Sequence, residues 1–157
     1  MTLVDSMALP RLKIKAEDTE DLHILSAHLQ DALVPLHSLH FDPEQQTFSG
    51  LCHRFCWEHD GHFFQNKALY HRVHAGLTFR HVRSVHHKGF HRSLEKHPLN
   101  LLTIQSNEKG RYAHVHLIFS GQSEIRLEVA SLLCHLGDLH HPWPTHNQPS
   151  HEGEINN

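Results

Sequence analysis

The chain has 157 residues, the size of one ordinary domain, and at 38% hydrophobic and 20% charged it has a globular composition and not a disordered one. A chain of this length buries most of its apolar surface without staples, and no apolar run approaches the roughly 20 residues that span a bilayer. The formal charge is −3 with histidine neutral, which excludes a uniformly cationic chain and leaves charge segregation as the quantity to read.

Residues 1–10 read as a flexible leader with no basic start or apolar core, so no secretion signal is expected. "RLKIKA" reads as a short strand, with Leu12 and Ile14 alternating against Arg11, Lys13 and Lys15. In "EDTEDLHILSAHLQDALVP", Asp18 can cap a first turn, and Asp21 follows at capping-box spacing. Leu22, Leu25, Leu29 and Leu33 recur on one helical face and Pro35 closes it, which predicts a helix over about 19–34. "SLHFD" and "TFSGLCHRFCWE" read as strands joined by the turn "PEQQ", with Leu51, Phe55 and Trp57 on one face of the second and Cys52, Arg54, Cys56 and Glu58 on the other.

"HDGHFFQNK" reads as a loop. "ALYHRVHAGLTFRHVRSVHH" is one long strand or two, since the apolar parity shifts from Leu69, Val73, Ala75, Leu77 and Phe79 to Val82 and Val85, with a break near His81. "PLNLLTIQS" is a further strand and "NEKG" its turn. "YAHVHLIF" and "EIRLEVA" form the clearest hairpin. Val115, Leu117 and Phe119 share a face with Ile125, Leu127 and Val129 only if odd pairs with odd, which requires a three- or five-residue loop, placed about Gln122. Leu132, Leu136 and Leu139 have helical spacing weakened by Gly137, so a short C-terminal helix is expected, followed by a disordered tail over 144–157. The expected fold is α+β: one N-terminal helix packed on a mostly antiparallel, barrel- or sandwich-like sheet of six or seven strands, in a single domain over 11–143.

Two features bear on function. The chain carries 21 histidines, so full protonation would add 21 positive charges. The unperturbed pKa of about 6.5 puts most of that change between about pH 7.5 and 5.5. Charge is also segregated. Residues 71–97 carry six Lys or Arg (Arg72, Arg80, Arg83, Lys88, Arg92, Lys96) and seven histidines against Glu95 alone, while both flanks are acidic. Arg72, His74, Thr78 and Arg80 fall on one strand face, a row suited to phosphate or an acidic protein surface. Few aromatics interleave with these cations, so a base-stacking platform is not expected. Trp57 and Trp143 are expected at the core or its edge.

"LCHRFCWEHDGH" concentrates Cys52, Cys56, His53, His59 and His62. On a strand, Cys52 and Cys56 stand about 13 Å apart, too far to share a zinc ion that holds sulfur at about 2.3 Å. No metal site or cofactor is expected, and the cysteines read as partly buried strand residues. His114 and His116 share a strand face, and His86 and His87 face opposite ways. Three cysteines, an odd and small number, argue for a reducing cytosol and a cytoplasmic location. No G-x-S-x-G, P-loop, G-x-G-x-x-G or H-E-x-x-H motif occurs. Cys134 with His135 or His140 is the nearest thing to a nucleophile pair. Glu58 and Asp60 read as a solvated strand end.

The stretches "LKIKAEDTEDLHILSAHLQDALV", "RFCWE", "LTFRHVRSVHHKGF", "LNLLTI", "SGQSEIRLEV" and "LGDLHHPW" together resemble the bacterial family catalogued as domain of unknown function 2948, over about Arg11 to His151. The order and spacing of the stretches carry the resemblance, more than any one of them. It implies a soluble one-domain bacterial protein and no particular activity, substrate or cofactor. The family pattern does not call for His or Cys at most positions that carry them here, which speaks against a family-wide metal site.

The expectation from sequence is therefore a small cytosolic binding module, without chemistry of its own, that presents Arg72, His74, Arg80, Arg83, Lys88 and Arg92 to an anionic partner, an acidic protein or nucleic acid. An enzyme with a scattered His/Cys/Arg site and a histidine-based metal or pH responder are the alternatives.

Overall fold

The computed structural model describes residues 10–59, 62–64, 67–90 and 97–145. Strand β1 (Lys13–Ala16) leads into helix α1 (Thr19–His28). Asp18 caps α1 by accepting the Asp21 N–H at 2.7 Å, and Asp21 in turn accepts the Glu17 N–H. The helix is shorter than the leucine spacing predicts. Leu29 is its C-cap, Asp31 takes φ 63°, and Ala32–Val34 form β2. Leu33 fits a helical spacing, but Ala32 and Val34 are the buried positions, the period of a strand. Sheet pairing on both edges of β2 overrides the helical pattern.

Strands β3 (His40–Asp42) and β4 (Thr47–Phe55) flank a turn in which Asp42 accepts the N–H groups of Glu44 and Gln45. The stretch after β4 is not all loop: β5 (His62–Phe64) pairs with the start of β6 (Lys67–Phe79). β6 ends where expected, with His81 at φ 59° before β7 (Val82–Lys88). β8 (Leu99–Lys109) runs through most of the predicted "NEKG" turn, because Lys109 pairs with Tyr112 of β9 (Tyr112–Phe119) and leaves only Gly110 and Arg111 to reverse the chain.

β10 (Glu124–Val129) follows β9 in the odd-with-odd pairing predicted. Its partners are shifted by two residues, however: Ile125 lies opposite Leu117, and the three-residue turn Ser120–Gln122 is centred on Gly121, with φ 76°, and not on Gln122. Either centre keeps the parity, so the apolar pattern alone did not choose between them.

The predicted C-terminal helix is a strand, β11 (Cys134–Asp138). Cys134, Leu136 and Asp138 are buried in alternation, and both edges are paired, with β1 and with β6. β12 (Trp143–Thr145) adds to β6, so ordered pairing runs two residues into the predicted tail.

Every strand pairing among the described residues is antiparallel. The hydrogen-bonded path is β1-β11-β6-β4-β2-β8-β9-β10-β7, with β3, β5 and β12 attached to β4 or β6. That is more strands than the six or seven expected, and the path does not close into a barrel. It nevertheless curls. Ala16 of β1 and Val82 of β7, at its two ends, belong to one buried cluster with Leu22, Leu25 and Leu29 of α1. A flat sheet would hold those ends about 38 Å apart at ~4.8 Å per strand. No helix among the described residues is long and apolar enough to cross a membrane.

Candidate functional site

The outer face of β7-β10-β9 follows from register. His86 lies opposite Arg126, and Arg126 opposite His116. One step along, Lys88 lies opposite Glu124. The inward partners of these residues, Leu117, Ile125 and Leu127, are buried, so the intervening polar residues must face out. His86, His87, Lys88, His116, Glu124 and Arg126 line a shallow groove of about 290 Å³. Glu124 is its internal counter-ion. It accepts a hydrogen bond from His116 Nδ1 and pairs with Lys88 Nζ at 3.2 Å. The bond from His116 does most to hold the Glu124 carboxyl below its ordinary value; burial opposes it, and the Lys88 ammonium adds to the lowering. Arg126 is exposed and makes no ion pair among the described residues. Arg83 lies beside this face with its guanidinium 4.3 Å from the centre of the Tyr112 ring.

The six predicted site residues do not form one row. Lys88 and Arg83 lie on β7, at one end of the sheet path, and Arg80 is exposed at the corner between β6 and β7. Arg72 and His74 lie toward the other end of the path, on β6, and Arg92 is outside the described residues. The Arg72 guanidinium sits 5.4 Å from the centre of the Phe55 ring, and Trp57 packs edge-on against the same ring. Thus Phe55 is fully buried although it points away from the main core. His74 belongs to a cluster of rings with His53 (centroids 4.8 Å apart), His140 and Trp143. Trp143 is therefore on the outer sheet face and not at the edge of the main core. His140 Nδ1–H donates to the His141 carbonyl at 2.9 Å, which makes its Nε2 the acceptor for His74 Nδ1–H at 3.1 Å.

Within that cluster the His53 pKa is lowered, chiefly by burial and then by His74, Arg72 and His140. The unfolded chain therefore binds more protons than the folded one as pH falls below 6.5, and stability declines there until the folded-state pKa is passed. Denaturant unfolding at pH 7.5 and 5.5 is expected to show that decline, and a His53→Phe variant, which keeps a ring in place, is expected to show a shallower one. Equal slopes in the two proteins would contradict this.

A third constellation lies on the inner face. Arg54 and Asp138 have fully buried side chains and form two bonds, Nε to Oδ1 at 2.8 Å and Nη2 to Oδ2 at 2.9 Å. Glu58 takes the other side of the guanidinium at 2.7 and 3.0 Å. Asp138 Oδ2 also accepts the Leu12 N–H at 2.7 Å. Burial works against the Arg54 charge, but the two carboxylates outweigh it and raise its pKa. For Glu58, burial is likewise outweighed by the bond from Arg54, so its pKa is lowered. Glu58 is exposed just past the end of β4, as expected from sequence, and is in addition an ion-pair partner; Asp60 lies outside the described residues. The triad ties β1, β4 and β11 together.

Residues 12–151 match the family described as "Protein of unknown function (DUF2948)". The chain belongs to this family. No curated protein and no solved structure matches it. In this DUF2948 chain the three constellations draw on the stretches singled out in the sequence. Arg54 and Glu58 come from "RFCWE", Asp138 and His140 from "LGDLHHPW", and Glu124 and Arg126 from "SGQSEIRLEV".

The cysteines are free and fully or nearly fully buried, more so than expected. Burial pushes the Cys52 thiol up to about 12 and raises Cys134 as well. Cys134 points inward while His135 is exposed on the opposite face of β11, and His140 is held in the ring cluster, so no Cys/His pair forms there. A thiol reagent is expected to leave all three cysteines unmodified in the folded protein and to react with all three in denaturant; a rapidly modified thiol in the native state would refute that burial. Among the described residues no three His, Cys, Asp or Glu converge as a set that could hold a metal ion.

Sequence reasoning missed His86, His116, Glu124 and Arg126 as site residues. The signal was present in part. Even-numbered residues of the predicted β9–β10 hairpin face outward, which gathers His116, Glu124 and Arg126. What the pattern lacked was the neighbour of β10, a strand some 40 residues earlier in the chain.

Proposed function

We propose that this chain is a binding module that engages an anionic partner through the outer groove of β7, β10 and β9. The observation that carries this reading is the register that aligns His86, Arg126 and His116 across three strands and sets Lys88 beside them. Lys88 and Glu124 satisfy each other in part, while Arg126 projects into the groove without an ion pair among the described residues. Surface pairs of this kind contribute only about 0–1 kcal/mol to stability, so the charges are available to a partner at little structural cost. The segregation of charge in the sequence points the same way, with the site moved from Arg72 and His74 to Lys88, Arg83 and Arg126. Three buried free cysteines support a reducing, cytoplasmic setting, and one shared apolar cluster supports a single domain.

The test is affinity capture from a lysate at low and high salt, with and without nuclease, using the protein and a Lys88→Gln, Arg126→Gln double variant. Material held by the first, released by salt and not held by the variant supports the reading. Equal retention by both proteins would overturn it. Loss on nuclease treatment would make the partner a nucleic acid.

A second reading, a proton-responsive chain, rests on the ring cluster of His53, His74, His140 and Trp143, and the pH comparison of His53→Phe given above is its test.

A further inference from the structure

The groove lies beside an unpartnered sheet edge. β7 ends the strand path, and among the described residues the strand it pairs with is β10; on its other side the Val82 N–H donates to the Gln46 carbonyl at 2.8 Å, which leaves the edge from Ser84 to Lys88 without a partner strand. That stretch extends over about 16 Å at ~3.3 Å per residue. An exposed edge of this length is a template for another strand. Its two faces differ in chemistry. Outward, His86 and Lys88 border the cationic groove. Inward, Val85 borders an apolar groove of about 310 Å³, lined also by Leu36, Leu39, Phe48, Phe90 and Ile125, and His87 borders both grooves.

A strand added to β7 would place alternate side chains on these two faces. We infer that the occupant is an extended acidic peptide whose acidic and apolar residues alternate, bound by strand addition to β7. Its apolar side chains enter the groove between Leu36, Val85 and Phe90, and its carboxylates stand beside Lys88 and His86. A second copy of the chain suits the edge poorly. β7 itself, VRSVHHK, carries no acidic residue, so a second copy paired through it would bring further cations and no carboxylate to Lys88 and His86. Charge complementarity selects an acidic strand.

This inference rests on the anionic-partner reading, and its test separates the two. Three fluorescein-labelled peptides of equal Glu and Val content are titrated by anisotropy: one strictly alternating, one with Glu and Val in separate blocks, and one alternating but N-methylated along one backbone edge. An oligonucleotide is titrated as a fourth probe. The inference predicts that the alternating peptide binds at least about tenfold tighter than the other two peptides, and that Lys88→Gln, at a side chain 75% exposed, weakens it. Equal binding of the three peptides would overturn strand addition while leaving the anionic-partner reading intact. So would binding of the oligonucleotide alone. Tight binding of the alternating peptide unchanged by Lys88→Gln would place the edge elsewhere and overturn the assignment to β7. No binding of any probe would count against both.

Discussion

Arg54→Met is expected to destabilise the fold by about 3–5 kcal/mol, the cost of leaving a buried charge without its partner. The side chains of Arg54 and Asp138 are completely buried, and the side chain of Glu58 is 20% exposed. Removing the guanidinium strands two carboxylates, one of which has no route to water. A second substitution that also removes the buried carboxylate, Arg54→Met with Asp138→Leu, is expected to recover most of the loss, because apolar groups of similar size replace buried ion pairs at small cost. Recovery will be incomplete, since the Leu12 N–H loses its acceptor, an unsatisfied donor costing about 1–3 kcal/mol. Urea unfolding of the three proteins measures all of this. If the single variant were no less stable than the parent, the triad would not be the clamp described here. The lowered pKa of Glu58 adds a pH signature. Its contribution is complete above the ordinary carboxylate pKa of 4.5 and is lost as pH falls through the lower folded-state value.

Gly89→Ala is expected to cost about 2–5 kcal/mol, much more than the same change at Gly110. Both glycines have positive φ, +79° and +66°, where an L-residue pays about 1–2 kcal/mol. At Gly110 that is the whole cost, because a Cβ there meets nothing within 4 Å. At Gly89 the Cβ runs into the carbonyl oxygen of Gln122 and comes within 3.0 Å of Ser123 Cα, all backbone, so the β9–β10 turn must shift. Overpacking of that kind adds about 1–3 kcal/mol. Gly89 O also accepts the Ser123 hydroxyl at 2.8 Å, which locks the end of β7 to that turn. Gly89 therefore holds Lys88 against Glu124, and the pair of variants, compared by thermal or urea unfolding, tests how firmly the groove is built. Equal losses at the two positions would show that the close approach at Gly89 is slack.

The strands with clean alternation were legible in the sequence. β9 and β10 bury the six residues their pattern nominates, and the parity shift near His81 marks the break between β6 and β7. Where local pattern and tertiary pairing conflict, pairing won. Leu33 and Leu139 sit at helical spacing yet belong to or follow strands paired on both edges. The face of β4 illustrates the limit of a hydrophobicity reading. Leu51 is 49% exposed, while Cys52 and Arg54 face the core. An arginine is read as outward from sequence, and only its two carboxylate partners, one of them 84 residues away, allow it inside. The candidate site was half legible for a related reason. Segment charge identified Arg83 and Lys88, but Arg126 and His116 join them only through the non-local pairing of β7 with β10.

The most direct test of the central claim is a map of where an anion binds. The ¹⁵N-labelled protein is titrated with a polyglutamate peptide at low salt, and amide shifts are followed residue by residue. The groove assignment predicts that the changes concentrate in residues 83–88, 114–118 and 124–128 and vanish as salt is added. Changes centred instead on Arg72, His74 and His140, or none at all, would contradict it.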